Sequence, residues 1–255
     1  MKRTTLAMTI CALLGLSNSS AVGSLYSENF EVDPTAAWTV NDPGLSDILV
    51  DFHYDYSQIG VPSAPNGAGT RGLKLTANNT GGVFSGFSVS PNVNISGNYV
   101  VRFDLWQNYV GPLGVGGSGT TQLSMFGIGT AGNVPVWPGS EKESVMFGVT
   151  LDGGSASDYR AYSTAAPTSY AAGNPVYHAP GGAINGSDDY YSGFGGESAP
   201  AAQLAMFAGQ TGTTDPGEAS FAWRRVVIKV QDNFAHWSVD GLPIATVDLT
   251  TVLLG

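Results

Sequence analysis

Between Trp223 and Asp248 the chain reads WRRVVIKVQDNFAHWSVDGLPIATVD, with apolar and polar residues alternating around two turn dipeptides, Asp232-Asn233 and Asp240-Gly241. Asp-Gly between alternating runs signals a tight hairpin, because a type I′ turn needs positive φ at both central positions. Two-residue turns at both places set Val239 opposite Leu242 and Trp237 opposite Ile244. They also set Val230 opposite Ala235, Ile228 opposite Trp237 and Val226 opposite Val239. Side chains alternate faces along a strand, so these eight positions share one apolar face. The other face receives Arg225 opposite Asp240, a predicted cross-strand ion pair, and Lys229 opposite His236. A three-strand meander follows.

Short alternating runs bounded by Gly, Pro, Asn and Asp recur upstream and predict strands at 25–30, 47–54, 71–77, 83–89, 99–109, 122–129, 144–151, 159–162 and 203–208. In the fifth of these Tyr99, Val101, Phe103 and Leu105 share a face; in the seventh Val145, Phe147, Val149 and Leu151 do. No window carries apolar residues at helical spacing, so helices are expected to be few and short. The stretch 153–200 is rich in Gly, Ala, Ser, Tyr and Pro and weak in alternation. A loop that long in a compact domain is functional, disordered or conceals short strands.

Composition narrows the setting. Lys2 and Arg3, an apolar stretch from Leu6 to Leu16 and small residues beyond it make 1–23 a secretory signal peptide, too short in its apolar part to span a bilayer. Residues 24–255 then form a single β-sandwich domain. The apolar run Thr251–Gly255 at its end suggests that the sequence is truncated at the C-terminus. Cys11 lies in the leader, so core burial rather than disulfides must stabilise the mature chain. Losing Lys2 and Arg3 takes the net charge from −10 to −12. A weakly charged, acidic chain without clustered Lys or Arg argues against nucleic acid as a partner. No other stretch is long and apolar enough for a membrane span. The expected location is secreted, extracellular or at the cell surface.

The strand W-x-x-V-x-I-x-V from Trp223, followed by Trp237-Ser-Val-Asp-Gly-x-Pro-Ile-Ala, resembles the end of a concanavalin A-like lectin/glucanase sandwich, closest to its LamG-like jelly-roll branch. Tyr26-Ser-Glu-Asn-Phe-Glu-x-Asp with Trp38 resembles the first strand of similar secreted domains. Such domains are frequent in bacterial surface proteins that carry a PEP-CTERM sorting signal. The resemblance implies a two-sheet antiparallel β-sandwich. It leaves activity open, since this fold hosts lectins, hydrolases, lyases and adhesive modules.

Catalysis finds little to work with. A glycosidase needs two carboxylates facing one cleft, and the hydrolases of this fold carry them as E-x-D-x-x-E or E-x-D-x-E. None of the six glutamates sits in that pattern. Glu141 and Glu143 flank Lys142 just after Pro138-Gly139, which reads as a turn entering a strand. A lyase constellation has only His53 beside Tyr54 and Tyr56 to start from. There is no G-x-S-x-G elbow and no H-E-x-x-H. Asp152, Asp158, Asp188 and Asp189 do not match a calcium loop, although loop carboxylates and carbonyls remain compatible with a structural calcium. No cofactor is required.

Sugar binding asks for less: aromatic faces, with carboxylates and amides for the hydroxyls. The candidates are Trp137 in a Pro/Gly loop, and Tyr190 and Tyr191 beside Asp188 and Asp189, with Tyr177 in the same long stretch. Trp38, Trp106, Trp223 and Trp237 read as core or rim. The expectation is a non-catalytic, carbohydrate-binding or adhesive surface module whose partner is an extracellular glycan or cell-surface polymer. A glycan-degrading enzyme and a purely structural matrix protein are the alternatives.

Overall fold

The computed structural model of the chain describes residues 24–80, 86–108, 123–130, 143–150, 156–164 and 169–255. The signal peptide expected at 1–23 lies outside them. The closing meander forms strands β9 (Arg224–Gln231), β10 (Phe234–Val239) and β11 (Leu242–Asp248). Asp232, Asn233, Asp240 and Gly241 all have positive φ, as two type I′ turns require. Val230 opposes Ala235, Ile228 opposes Trp237 and Val226 opposes Val239, as the alternation predicts.

Two details differ. The register shifts between Trp237 and Ser238, so Trp237 pairs with Ala245 and not with Ile244. Ile244 is the extra residue of a β-bulge, which lets Ile244, Ala245 and Val247 all be fully buried. The expected Arg225–Asp240 ion pair is replaced by two others. A fourth strand, β5 (Tyr99–Leu105), pairs with β9 and sets Asp104 opposite Arg225, whose guanidinium binds it at 2.9 Å. Asp240 instead accepts the Arg225 backbone N–H at 2.6 Å and lies 3.3 Å from the Arg224 guanidinium.

The resulting sheet has the order β11–β10–β9–β5. Its apolar face packs on a second antiparallel sheet of β6 (Leu123–Gly129), β7 (Ser144–Thr150) and β8 (Tyr159–Ser163), in that order. Every residue of β7 is buried, the environment of a central strand covered on both faces. Trp237 sits between the layers, stacked on Phe147 at 5.1 Å and edge-on to Phe126 at 5.7 Å. Phe103 of β5 meets Phe126 edge-on at 5.3 Å. The fold is an all-β antiparallel sandwich.

Two smaller antiparallel pairs complete the eleven described strands: β1 (Trp38–Asn41) with β4 (Ser88–Pro91), and β2 (Ile48–Asp55) with β3 (Arg71–Ala77). The alternation at 25–30 does not become a strand. There Glu28 accepts the backbone N–H groups of Asn29 and Phe30, and Phe30 adopts φ 61, closing a turn. The strand expected at 203–208 is instead the short helix α1 (Ala201–Met206). Ala, Gln, Leu and Met are helix formers, and Pro200 just ahead of them is well placed at a helix start.

Candidate functional site

The chain between β8 and β9 determines which sequence candidates reach the surface. Part of it, Val176–His178, runs along the outer edge of β11. His178 N–H donates to the Ile244 carbonyl at 3.0 Å, Thr246 N–H donates to the Val176 carbonyl at 2.8 Å, and Tyr177 bridges to Ala245. This covers an edge that would otherwise offer unpaired backbone groups.

Tyr177 and Tyr191 anchor the excursion from within. Tyr177 is 6% exposed; its hydroxyl accepts the Ala161 N–H at 2.9 Å and donates to the Tyr170 carbonyl at 3.2 Å. Burial pushes its phenol up to about 12. Tyr191 is fully buried and stacks on Tyr159 with ring centroids 4.0 Å apart, while its hydroxyl donates to the Ala183 carbonyl. Burial pushes this phenol up as well. Neither ring offers a face to a ligand.

Tyr190, Asp188 and Asp189 do come to the surface together. The Asp188 carboxylate accepts the Tyr190 N–H at 2.9 Å and caps the single 3-10 turn Asp189–Tyr191. Asp189 is exposed, and Tyr190 is half-buried with its hydroxyl donating to the Pro243 carbonyl at 2.7 Å. Trp137 lies outside the described residues.

A second aromatic group stands on the outer face of the four-stranded sheet. The β5–β9 register continues past its last pair, Leu105 with Arg224, and brings Trp106 beside Trp223. Their rings meet edge-on at 5.7 Å, and Tyr56 meets Trp223 edge-on at 5.3 Å. Trp106 Nε1–H donates to Asn108 Oδ1, and Trp223 Nε1–H donates to the Pro62 carbonyl at 2.7 Å, which fixes both half-buried rings.

One pair further along the same face, Asp104 accepts from Asn66 N–H, from Asn66 Nδ2–H and from the Arg225 guanidinium, each at 2.9 Å. Burial alone would raise this carboxyl, but those donors hold it below its ordinary value. Asp104 is therefore a fixed anion that orients Arg225. The Arg225 side chain is 35% exposed, and a guanidinium carries five N–H donors, more than its contact with Asp104 uses.

Beyond it the outer face carries Lys229 opposite His236 and His236 opposite Thr246. His53 is tied to the Glu31 carbonyl at 3.0 Å, a structural contact. Among the described residues no three His, Cys, Asp or Glu side chains gather round one point.

Sequence reasoning placed Trp106 and Trp223 at core or rim and did not pair them. The signal was the alternation in 99–105, which lacked only the knowledge that this strand neighbours β9. No protein-family model matches the chain, and no match to it is found among curated proteins or solved structures.

Proposed function

We propose that the chain is a secreted or cell-surface β-sandwich module that binds an extracellular glycan or cell-surface polymer without catalysis. The finer likeness to the LamG-like, concanavalin A-like jelly roll belongs to this reading. The observation that carries it is the ledge formed by Trp106 and Trp223 next to Asp104, Asn66 and Arg225. Aromatic rings offer a surface for the C–H faces of sugar rings, and an oriented guanidinium offers donors for hydroxyl or carboxylate oxygens. Both rings are held by their own N–H bonds, so little side-chain entropy is left to lose on binding. Tyr190 with Asp189 makes a second, smaller surface of the same kind.

The test is a glycan array followed by calorimetry on each hit, using wild type, Trp106→Ala and Tyr190→Ala. Binding that weakens at least about tenfold in Trp106→Ala, with the circular dichroism spectrum retained, supports the ledge. Loss confined to Tyr190→Ala moves the site to the β11 edge. An array without hits, or hits indifferent to both substitutions, overturns the proposal.

A further inference from the structure

Two imidazoles from distant parts of the chain converge on one hydroxyl. His178 Nε2 lies 2.8 Å from Thr246 Oγ1, and His236 Nδ1 lies 3.0 Å from the same oxygen. A hydroxyl carries one hydrogen, so with both rings neutral one imidazole accepts from Thr246 and the other donates to it. The two nitrogens are within about 6 Å of each other, against roughly 3–4 Å for two nitrogens each bound about 2.0–2.1 Å from one metal ion.

His178 is exposed and held by its backbone, so its ring can close that gap by a rotamer change. His236 sits on β10, fixed by ladder bonds to both neighbours. We propose that His178 and His236, with the Thr246 hydroxyl between them, chelate a divalent transition-metal ion.

Two imidazole nitrogens with open positions for water suit zinc, nickel or copper and not calcium or magnesium, which require oxygen ligands. The Lys229 ammonium, directly opposite His236, opposes a second cation. On the side of the next pair Asp248, opposite Phe234, offers a carboxylate on the same face, already bonded to Thr250. A bound ion would join the Val176–His178 segment to the meander and so cross-link the long excursion to the sheet that closes the fold.

The test is calorimetric titration of untagged protein with Zn2+ and Cu2+ alone, with melting temperature as an independent readout. The expected result is one saturable site, a melting temperature that rises with metal, and affinity at least about tenfold lower in His178→Ala and in His236→Gln. His53→Ala, which removes the remaining histidine of the chain, should leave affinity unchanged. No saturable site, binding insensitive to His178→Ala, or equal loss in His53→Ala overturns the assignment. None of these outcomes depends on glycan binding.

Discussion

Trp237 tests the sandwich most directly. Its side chain is 1% exposed and touches Phe126, Phe147 and Tyr159, so truncation to Ala removes contacts between both layers at once. Truncating a buried Trp costs about 3–5 kcal/mol, the lost transfer free energy plus the cavity left behind. Its Nε1–H, however, is buried without a hydrogen-bond partner among the described residues. Such a donor costs about 1–3 kcal/mol, and Trp237→Phe removes it. The missing second ring leaves a cavity of roughly 40 Å³, which at about 24 cal/mol per Å³ costs about 1 kcal/mol. Loss of that ring's transfer free energy adds a comparable amount. The two effects nearly cancel, so Trp237→Phe should fall within about 1 kcal/mol of wild type while Trp237→Ala loses about 3–5. Equilibrium urea unfolding followed by circular dichroism measures both. The Ala variant should also melt roughly 6–20 °C lower, at about 2–4 °C per kcal/mol. A Phe variant as damaged as the Ala variant would refute the unpaired-donor argument, and an Ala variant within about 1 kcal/mol of wild type would refute the packing itself.

Other tests probe the periphery of that core. Gly217 has φ +92, and a Cβ there would overlap the Gly186 carbonyl oxygen. Gly217→Ala should therefore cost at least about 1–3 kcal/mol in urea unfolding, and wild-type stability would show that the two loops do not meet. Asp104→Asn weakens the Arg225 and Asn66 contacts and should cost about 2 kcal/mol at pH 7. Because the folded carboxyl lies below its unfolded value of about 3.9, that stabilisation is present above pH 4 and is lost as pH falls through the folded pKa. The gap between wild type and variant should accordingly narrow only as pH falls below about 4, and not at pH 6. His236 titrates below its unfolded value of about 6.5, so the unfolded chain binds the proton more readily and stability should decline as pH drops through that region. His236→Gln should flatten the decline, and an unchanged slope in melting temperature between pH 7 and 5 would exclude this histidine as its source.

The closing meander was legible because both of its turns declare themselves chemically: Asp232-Asn233 and Asp240-Gly241 all occupy positive φ. The alternation that predicts strands at 71–77, 99–109 and 144–151 is met by strands at 71–77, 99–105 and 144–150 among the described residues. What alternation cannot report is which distant strand lies alongside. The position of β5 next to β9, and with it both the Asp104–Arg225 pair and the tryptophan ledge, follows from tertiary pairing between residues more than a hundred positions apart. The sugar-binding candidates divided for a related reason. Tyr190 and Tyr191 are neighbours, but a 3-10 turn points one ring to the β11 edge and the other into the core. Composition could mark the tyrosines of that stretch as significant without separating the anchors from the accessible ring.

The extra residue in β11 has a consequence at the level of a single codon. Deleting Ile244 would join Pro243 directly to Ala245 and remove the bulge, with Ala245 still opposite Trp237, Thr246 opposite His236 and Val247 opposite Ala235, so both faces of the strand would be kept. The hydroxyl that joins His178 to His236 would stay on the outer face, and the loss would fall on the core, which Ile244 fills as a fully buried side chain. A deletion of three nucleotides would thus take away one buried side chain while leaving the facing of every later residue in the strand unchanged.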